Sequence, residues 1–195
     1  TLATNSIIER TGARTALITT EGFRDVLDIA YETRYDQYDL FIDKVTPLVP
    51  RYLRYTVPER LSVGGEILKA LDEQAVHNLL PKLEKDGVES VAIGFLHAYV
   101  DDRHEQRVRE ILRAGNPNLA ITLSSEVSPE VREYERFTTA SANAYVQPLM
   151  ARYLTRLKVA LDERGLAGAL FMMTSGGGLT TLETAVRFPI RLVES

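Results

Sequence analysis

The chain has 195 residues, 45% hydrophobic and 26% charged, a balance that builds an ordinary globular core and excludes collagen-like, coiled-coil and disordered chains. With 23 Lys plus Arg against 27 Asp plus Glu, the net charge is -4, without the basic excess that nucleic-acid binding requires. There is no cysteine, so disulfides, thiolate nucleophiles and cysteine zinc sites are excluded, and the chain reads as cytoplasmic. No apolar run approaches the ~20 residues of a membrane span, so no membrane partner is expected.

The amino-terminal stretch predicts a short helix over Thr4 to Arg10, closed by Gly12 in a left-handed position. Ser6 and Glu9 fit a capping box, whereas Thr4 and Asn5 at a helix start could also hold an anion. Ala16 to Thr20 reads as a buried strand. Phe23, Val26, Leu27 and Ala30 then fall on one face of a helix over Gly22 to Tyr31. Thr33 to Arg51 has two prolines and no period, which marks a long excursion, and Gly64-Gly65 signals a hairpin within Arg54 to Leu68.

Asp72 caps a helix through Ala75, Val76, Leu79, Leu80 and Leu83, with Pro81 expected to kink it. Ser90 to Leu96 reads as a strand buried on both faces, His104 to Leu112 as a helix, and Leu119 to Ser124 as a further strand. Ser128 and Pro129 open the longest helix, whose stripe (Val131, Tyr134, Thr138, Tyr145, Leu149, then Met150, Leu154, Leu157, Leu161) passes a kink at Pro148 and stops at Gly165. Ala169 to Thr174 is a last strand, leading into Ser175-Gly176-Gly177-Gly178. Strands alternating with helices imply a mostly parallel sheet with helices on both faces, where ligands gather beyond the strands' carboxyl ends.

Three groups of residues are candidates for chemistry. The Ser175–Gly178 loop lacks the lysine of a P-loop and the spacing of a dinucleotide fingerprint, so it is either a structural turn or a ligand loop. His97 and His104 with Asp101, Asp102 and Glu105 match no zinc spacing and read as a polar turn and helix start. Pro129 to Arg136 alternates charges that can pair at i, i+3 (Arg132 with Glu135, Glu133 with Arg136), which describes a solvated helix face or an Arg and Glu pair that positions a substrate.

The segments TLATNSIIERTGARTALITTEGFRDVLDIA (1–30), TPLVPR and VPERL (within 46–61), SSEVSPEVREYERFTTASANAYVQP (124–148) and TSGGGL (174–179) together resemble the A-type component of the hydantoinase, N-methylhydantoinase and 5-oxoprolinase family, in the family's order along the chain. Acetone and acetophenone carboxylases share that ancestry. The resemblance implies a ribonuclease-H-like fold of the actin-like ATPase class. It also implies a reaction that uses ATP, with Mg, to phosphorylate a carbonyl of a cyclic amide. The partners it implies are a second subunit of the same enzyme, in a homo- or hetero-oligomer. The alternatives are a non-catalytic scaffold or part of a carboxylase. By the same resemblance, Thr4 and Asn5 match the end of a G-T-T-x-A-T-N run at the nucleotide cleft, and Ser175, Gly176, Gly177 and Gly178 match its S-N-G-G loop, with Gly176 where the family usually has Asn. The family's D-x-G-G-T-F-T-D loop would lie before Thr1 and its G-P-A-G-G segment after Ser195. The 195 residues are therefore expected to form one α/β domain interior to the amino-terminal half of a larger protein, with 32–70 as an inserted loop and hairpin.

Overall fold

A computed structural model describes residues 2–31, 36, 38–166 and 168–193. Four strands form one parallel sheet in the order β2-β1-β5-β6, where β1 is Thr15–Thr20, β2 Arg54–Val57, β5 Ser90–Gly94 and β6 Ala120–Leu123. Every residue of β1 and β5 is buried, and since successive side chains point to opposite faces, both faces must be covered. Helix α7 (Glu133–Glu163) packs on β5, β6 and β1, and α5 (Arg103–Gly115) packs on β5 and β6. The core joins Leu17, Ile18 and Ile93 of the sheet to Val108 and Leu112 of α5 and to Phe137 and Ala140 of α7. A second apolar cluster, with Tyr145, Val146, Met150 and Leu154 of α7, gathers α1 (Leu2–Ile8), α8 (Leu182–Arg187) and a 3-10 turn at Pro189–Leu192.

Several boundaries differ from the sequence expectation, each for a local reason. Helix α1 ends at Ile8, and the left-handed residue is Arg10 (φ 57°) rather than Gly12. Gly12 is required instead by close packing, because a Cβ there would lie 2.7 Å from Cζ of Tyr145. The helix expected over 22–31 contracts to α2 (Val26–Ile29), stopped by Ala30 at φ 49°. Of the expected excursion, residues 32–35 and 37 lie outside the described residues, and 38–50 carry no helix or strand.

Residues 54–57 belong to the parallel sheet and not to the hairpin, which is limited to β3 (Arg60–Leu61) and β4 (Ile67–Lys69) around Gly65 at φ 85°. Asp72 does cap α3 (Glu73–His77), accepting from the Ala75 amide at 2.9 Å. The helix then stops, and α4 (Leu80–Lys85) starts with Pro81 in its first turn, where a missing N–H costs nothing. Ser124–Val127 forms a short α6, and Ser128 and Pro129 stay outside the long helix because Arg136 reaches back to the Glu130 carbonyl at 2.9 Å while Arg132 sits at φ 79°. From Glu133 onward α7 runs unbroken through Pro148. The strand expected over 169–174 is β7 (Phe171–Met173), which pairs antiparallel with β8 (Leu179–Thr181) and is not part of the parallel sheet.

Candidate functional site

The carboxyl ends of the parallel strands are tied together by two buried polar networks. At the end of β1 the Thr20 hydroxyl donates to Glu59 Oε1 and accepts the Leu96 amide at 3.1 Å, while Glu59 Oε2 lies 2.8 Å from His104 Nδ1. At the ends of β5 and β6 the buried Glu105 carboxylate accepts from the Phe95 amide (3.0 Å), the Ser124 hydroxyl (2.6 Å), the Ser125 amide (3.0 Å) and the Ser125 hydroxyl (2.7 Å). Burial pushes the Glu105 pKa up, against those four hydrogen bonds, which favour the ionised form.

Arg136 completes this second network from α7. Its side chain is fully buried, with Nε donating to Ser124 Oγ (3.1 Å) and its two terminal nitrogens to the Glu130 carbonyl (2.9 Å) and the Phe95 carbonyl (2.6 Å). Burial lowers the Arg136 pKa, and the charges of Glu105 and Glu133 oppose that shift. Ser124 thus stands between guanidinium and carboxylate, and the loops after β5 and β6 are fixed in place.

In the sequence Arg136, paired with Glu133, reads as part of a solvated helix face or of an Arg and Glu pair that positions a substrate. The chain folds it inward, where it donates to the Phe95 carbonyl just after β5 and to the Glu130 carbonyl in the loop before α7, acceptors that would otherwise lack a strong donor. His104 and Glu105 do stand at the start of α5, as expected, but they are buried in these networks. Among the described residues no group of three His, Asp or Glu could hold a metal ion. The remaining expected pair, Arg132 with Glu135, is present at 3.9 Å.

A cavity of about 550 Å³ lies between the segment after β1 and the first turn of α7. Phe23, Val26, Ile29 and Ala30 wall one side, and Tyr134 the other, with the Tyr31 and Tyr134 rings edge-to-face at 5.2 Å. Asp25, Arg132, Glu133 and Glu135 supply the polar lining. Asp25 is held by Arg51 at 2.8 and 3.0 Å, and that hydrogen bond keeps its carboxyl below the usual range. Sequence reading named the 129–136 run but missed the cavity, whose other wall is more than a hundred residues away in the chain.

The residues singled out by resemblance lie elsewhere. Thr4 and Asn5 are inside α1, not at a cap, and Ser6 is buried there with no hydrogen-bond partner for its Oγ among the described residues. Ser175–Gly178 form the turn of the β7–β8 hairpin, so the loop does not follow a strand of the parallel sheet. Both groups meet the same 3-10 turn: α1 packs on it, and the Ser175 amide donates to the Arg191 carbonyl at 2.9 Å. Most of the loop's amides are engaged, since, besides Ser175, Gly177 donates to the Thr174 carbonyl (2.9 Å) and Gly178 to Thr174 Oγ1 (3.2 Å). A phosphate cradle needs such amides turned outward. These residues do not by themselves fit an ATP–magnesium group.

Gly177 has φ 80° and nothing within 4 Å of a Cβ built on it, so its replacement meets strain but no clash. Gly177→Ala is expected to cost about 1 kcal/mol through that positive φ. Thermal melts of the two proteins check this, and an unchanged melting temperature would mean that the turn relaxes freely.

The sequence pattern of the hydantoinase/oxoprolinase N-terminal region matches residues 1–115, and that of hydantoinase/oxoprolinase matches residues 136–195. The chain belongs to the hydantoinase/oxoprolinase family. Within that family it is 35% identical over 181 residues to the alpha chain of caprolactamase from Pseudomonas jessenii, covering 92% of this chain and 26% of that protein. The crystal structure of the ATP-dependent caprolactamase from Pseudomonas jessenii superposes with a TM-score of 0.87 at 34% identity, over 93% of this chain and 27% of that one. The 5-oxoprolinase of Saccharomyces cerevisiae is 34% identical over 202 residues, covering 91% of this chain and 16% of the relative. The gamma subunit of acetophenone carboxylase from Aromatoleum aromaticum is 30% identical over 191 residues, covering 91% and 26%. The chain therefore spans about a quarter or less of these family members. Its fold is the α/β, actin-like ATPase type, with a parallel sheet flanked by helices.

Proposed function

We propose that these 195 residues are part of an ATP-dependent cyclic-amide hydrolase that works with a second subunit. The observation that carries this reading is the likeness to the caprolactamase alpha chain, in sequence and in fold, over more than nine-tenths of the chain. The cavity beside α7 adds to it, because a mostly apolar hollow with a few polar groups, at the carboxyl edge of a parallel sheet, suits a small ring compound. In this reading Thr4, Asn5 and Ser175–Gly178 border the nucleotide cleft of the intact protein. The phosphate and magnesium contacts come from parts of that protein outside these residues. Location in the cytoplasm and the one-domain interior position belong to the same proposal.

ATP turnover by the full-length protein with its partner subunit, measured with hydantoin, 5-oxoproline, caprolactam, and a ketone plus bicarbonate, tests it. Phosphate release with a cyclic amide and none with the ketone is the expected result. Release only with ketone plus bicarbonate would establish the second reading, part of a carboxylase, which the acetophenone carboxylase likeness favours.

A further inference from the structure

Two features converge on the crevice between the carboxyl ends of β1 and β5. The first is topology. From β1 the chain adds β2 on one side, then β5 and β6 on the other, so the order β2-β1-β5-β6 reverses direction between β1 and β5. In open parallel sheets the ligand crevice opens beyond the strand ends at that switch point. The second is what the chain places there. Thr20 ends β1, its hydroxyl accepts the Leu96 amide just past β5 at 3.1 Å, and Gly22 of the cavity wall follows two residues later. The exit from β5 also carries His97 at φ 59°, and such strain on a non-glycine residue persists only where the surroundings impose it.

The Thr20–Glu59–His104 chain at this crevice fixes one tautomer of the imidazole. The Thr20 oxygen accepts the Leu96 amide while its own proton goes to Glu59 Oε1. Glu59 Oε2, 2.8 Å from Nδ1, is the acceptor of an Nδ1–H, so a neutral imidazole keeps its lone pair on Nε2. Unlike His97 Nδ1, which is enclosed without a partner, His104 Nε2 is neither enclosed nor hydrogen-bonded among the described residues, and the side chain is 8% exposed. A base oriented by a buried carboxylate, with its second nitrogen unengaged, is the arrangement that general-base catalysis uses.

We propose that His104 is a catalytic residue of ring opening, its Nε2 taking the proton of the attacking water, with Glu59 the positioning residue that holds the tautomer. The inference rests on the cyclic-amide reading above and adds the base to it. The water oxygen bonds to the ring carbonyl carbon as one of its protons passes to Nε2. That proton then moves to the ring nitrogen as the C–N bond breaks and its electron pair goes to nitrogen.

The full-length protein with its partner subunit is assayed with ATP and hydantoin, 5-oxoproline or caprolactam, with water alone and then with hydroxylamine, a nucleophile strong enough to attack without a base. His104→Gln is expected to lower kcat of the water reaction about 100-fold with KM within about twofold, and Glu59→Gln to lower it about tenfold. Hydroxamate formation should stay within about threefold of the parent, a rescue that a merely loosened site would not show. In variants that melt with the parent, equal loss of both reactions, or an unchanged kcat in His104→Gln, overturns the base and leaves the proposed function standing. Both side chains are buried, so the parent supplies a second measurement. Diethyl pyrocarbonate acylates an open, unprotonated imidazole nitrogen, and peptide mapping locates the adduct. Acylation of His104, slowed by the cyclic amide and matched by loss of the water reaction, is expected. His104 left unmodified, or modified with the water reaction intact, overturns the assignment. Absence of turnover with every cyclic amide in the parent overturns the cyclic-amide reading and the base together.

Discussion

Arg136→Ala is expected to remove about 4 kcal/mol of stability, because breaking a buried charge network by deleting one partner typically costs 3–5 kcal/mol. Three acceptors lose the guanidinium at once: Ser124 Oγ, the Glu130 carbonyl and the Phe95 carbonyl, which is left with only the long bond from the Ala98 amide at 3.4 Å. Glu105, buried beside Ser124, also loses the positive charge nearest to it. Arg136→Lys should recover little, since a single ammonium cannot span three acceptors that a planar guanidinium reaches together. Urea titrations of the 195-residue chain, followed by far-ultraviolet circular dichroism because the chain has no Trp, measure the loss. A midpoint within the error of the parent would show that the network is not what fixes the β5 and β6 loops.

Gly94→Ala should cost about 3 kcal/mol, near the upper end of ordinary overpacking. Gly94 closes β5 beneath Phe137, and a Cβ there would stand 2.7 Å from Cε1 of that buried ring. Neither side can yield easily, because β5 is hydrogen-bonded on both edges and Phe137 adjoins Arg136. The double variant Gly94→Ala/Phe137→Leu separates clash from backbone effects: a smaller side chain opposite should return part of the loss, so the two costs must be less than additive. Full additivity in denaturant melts would remove the steric explanation.

Much of this protein was legible in its residues because the signals are local. Continuous burial of SVAIG at 90–94 and of TALITT at 15–20 follows from unbroken apolar or β-branched runs, and Asp72 caps its helix through a bond only three residues long. The motifs at 1–30, 124–148 and 174–179 sufficed for the family. What the residues alone left open depends on partners distant in the chain. Arg54–Val57 became a sheet strand because the edge of β1 was available to it, with Arg54 buried on the Val49 carbonyl at 3.0 Å. Phe171–Met173 reads like a buried strand yet, among the described residues, pairs only with Leu179–Thr181, so its glycine turn belongs to a separate two-stranded sheet. Arg136 and Glu105 look like surface charges by spacing, and only the strand-end carbonyls, amide and hydroxyls that they satisfy draw them inside. The cavity was invisible for the same reason: Phe23–Tyr31 and Arg132–Glu135 face each other only after α7 has packed across β1 and β5. Periodicity and capping energies act over a few residues, whereas the burial of a charge and the walls of a pocket are set by whichever distant segment supplies the missing donor or surface.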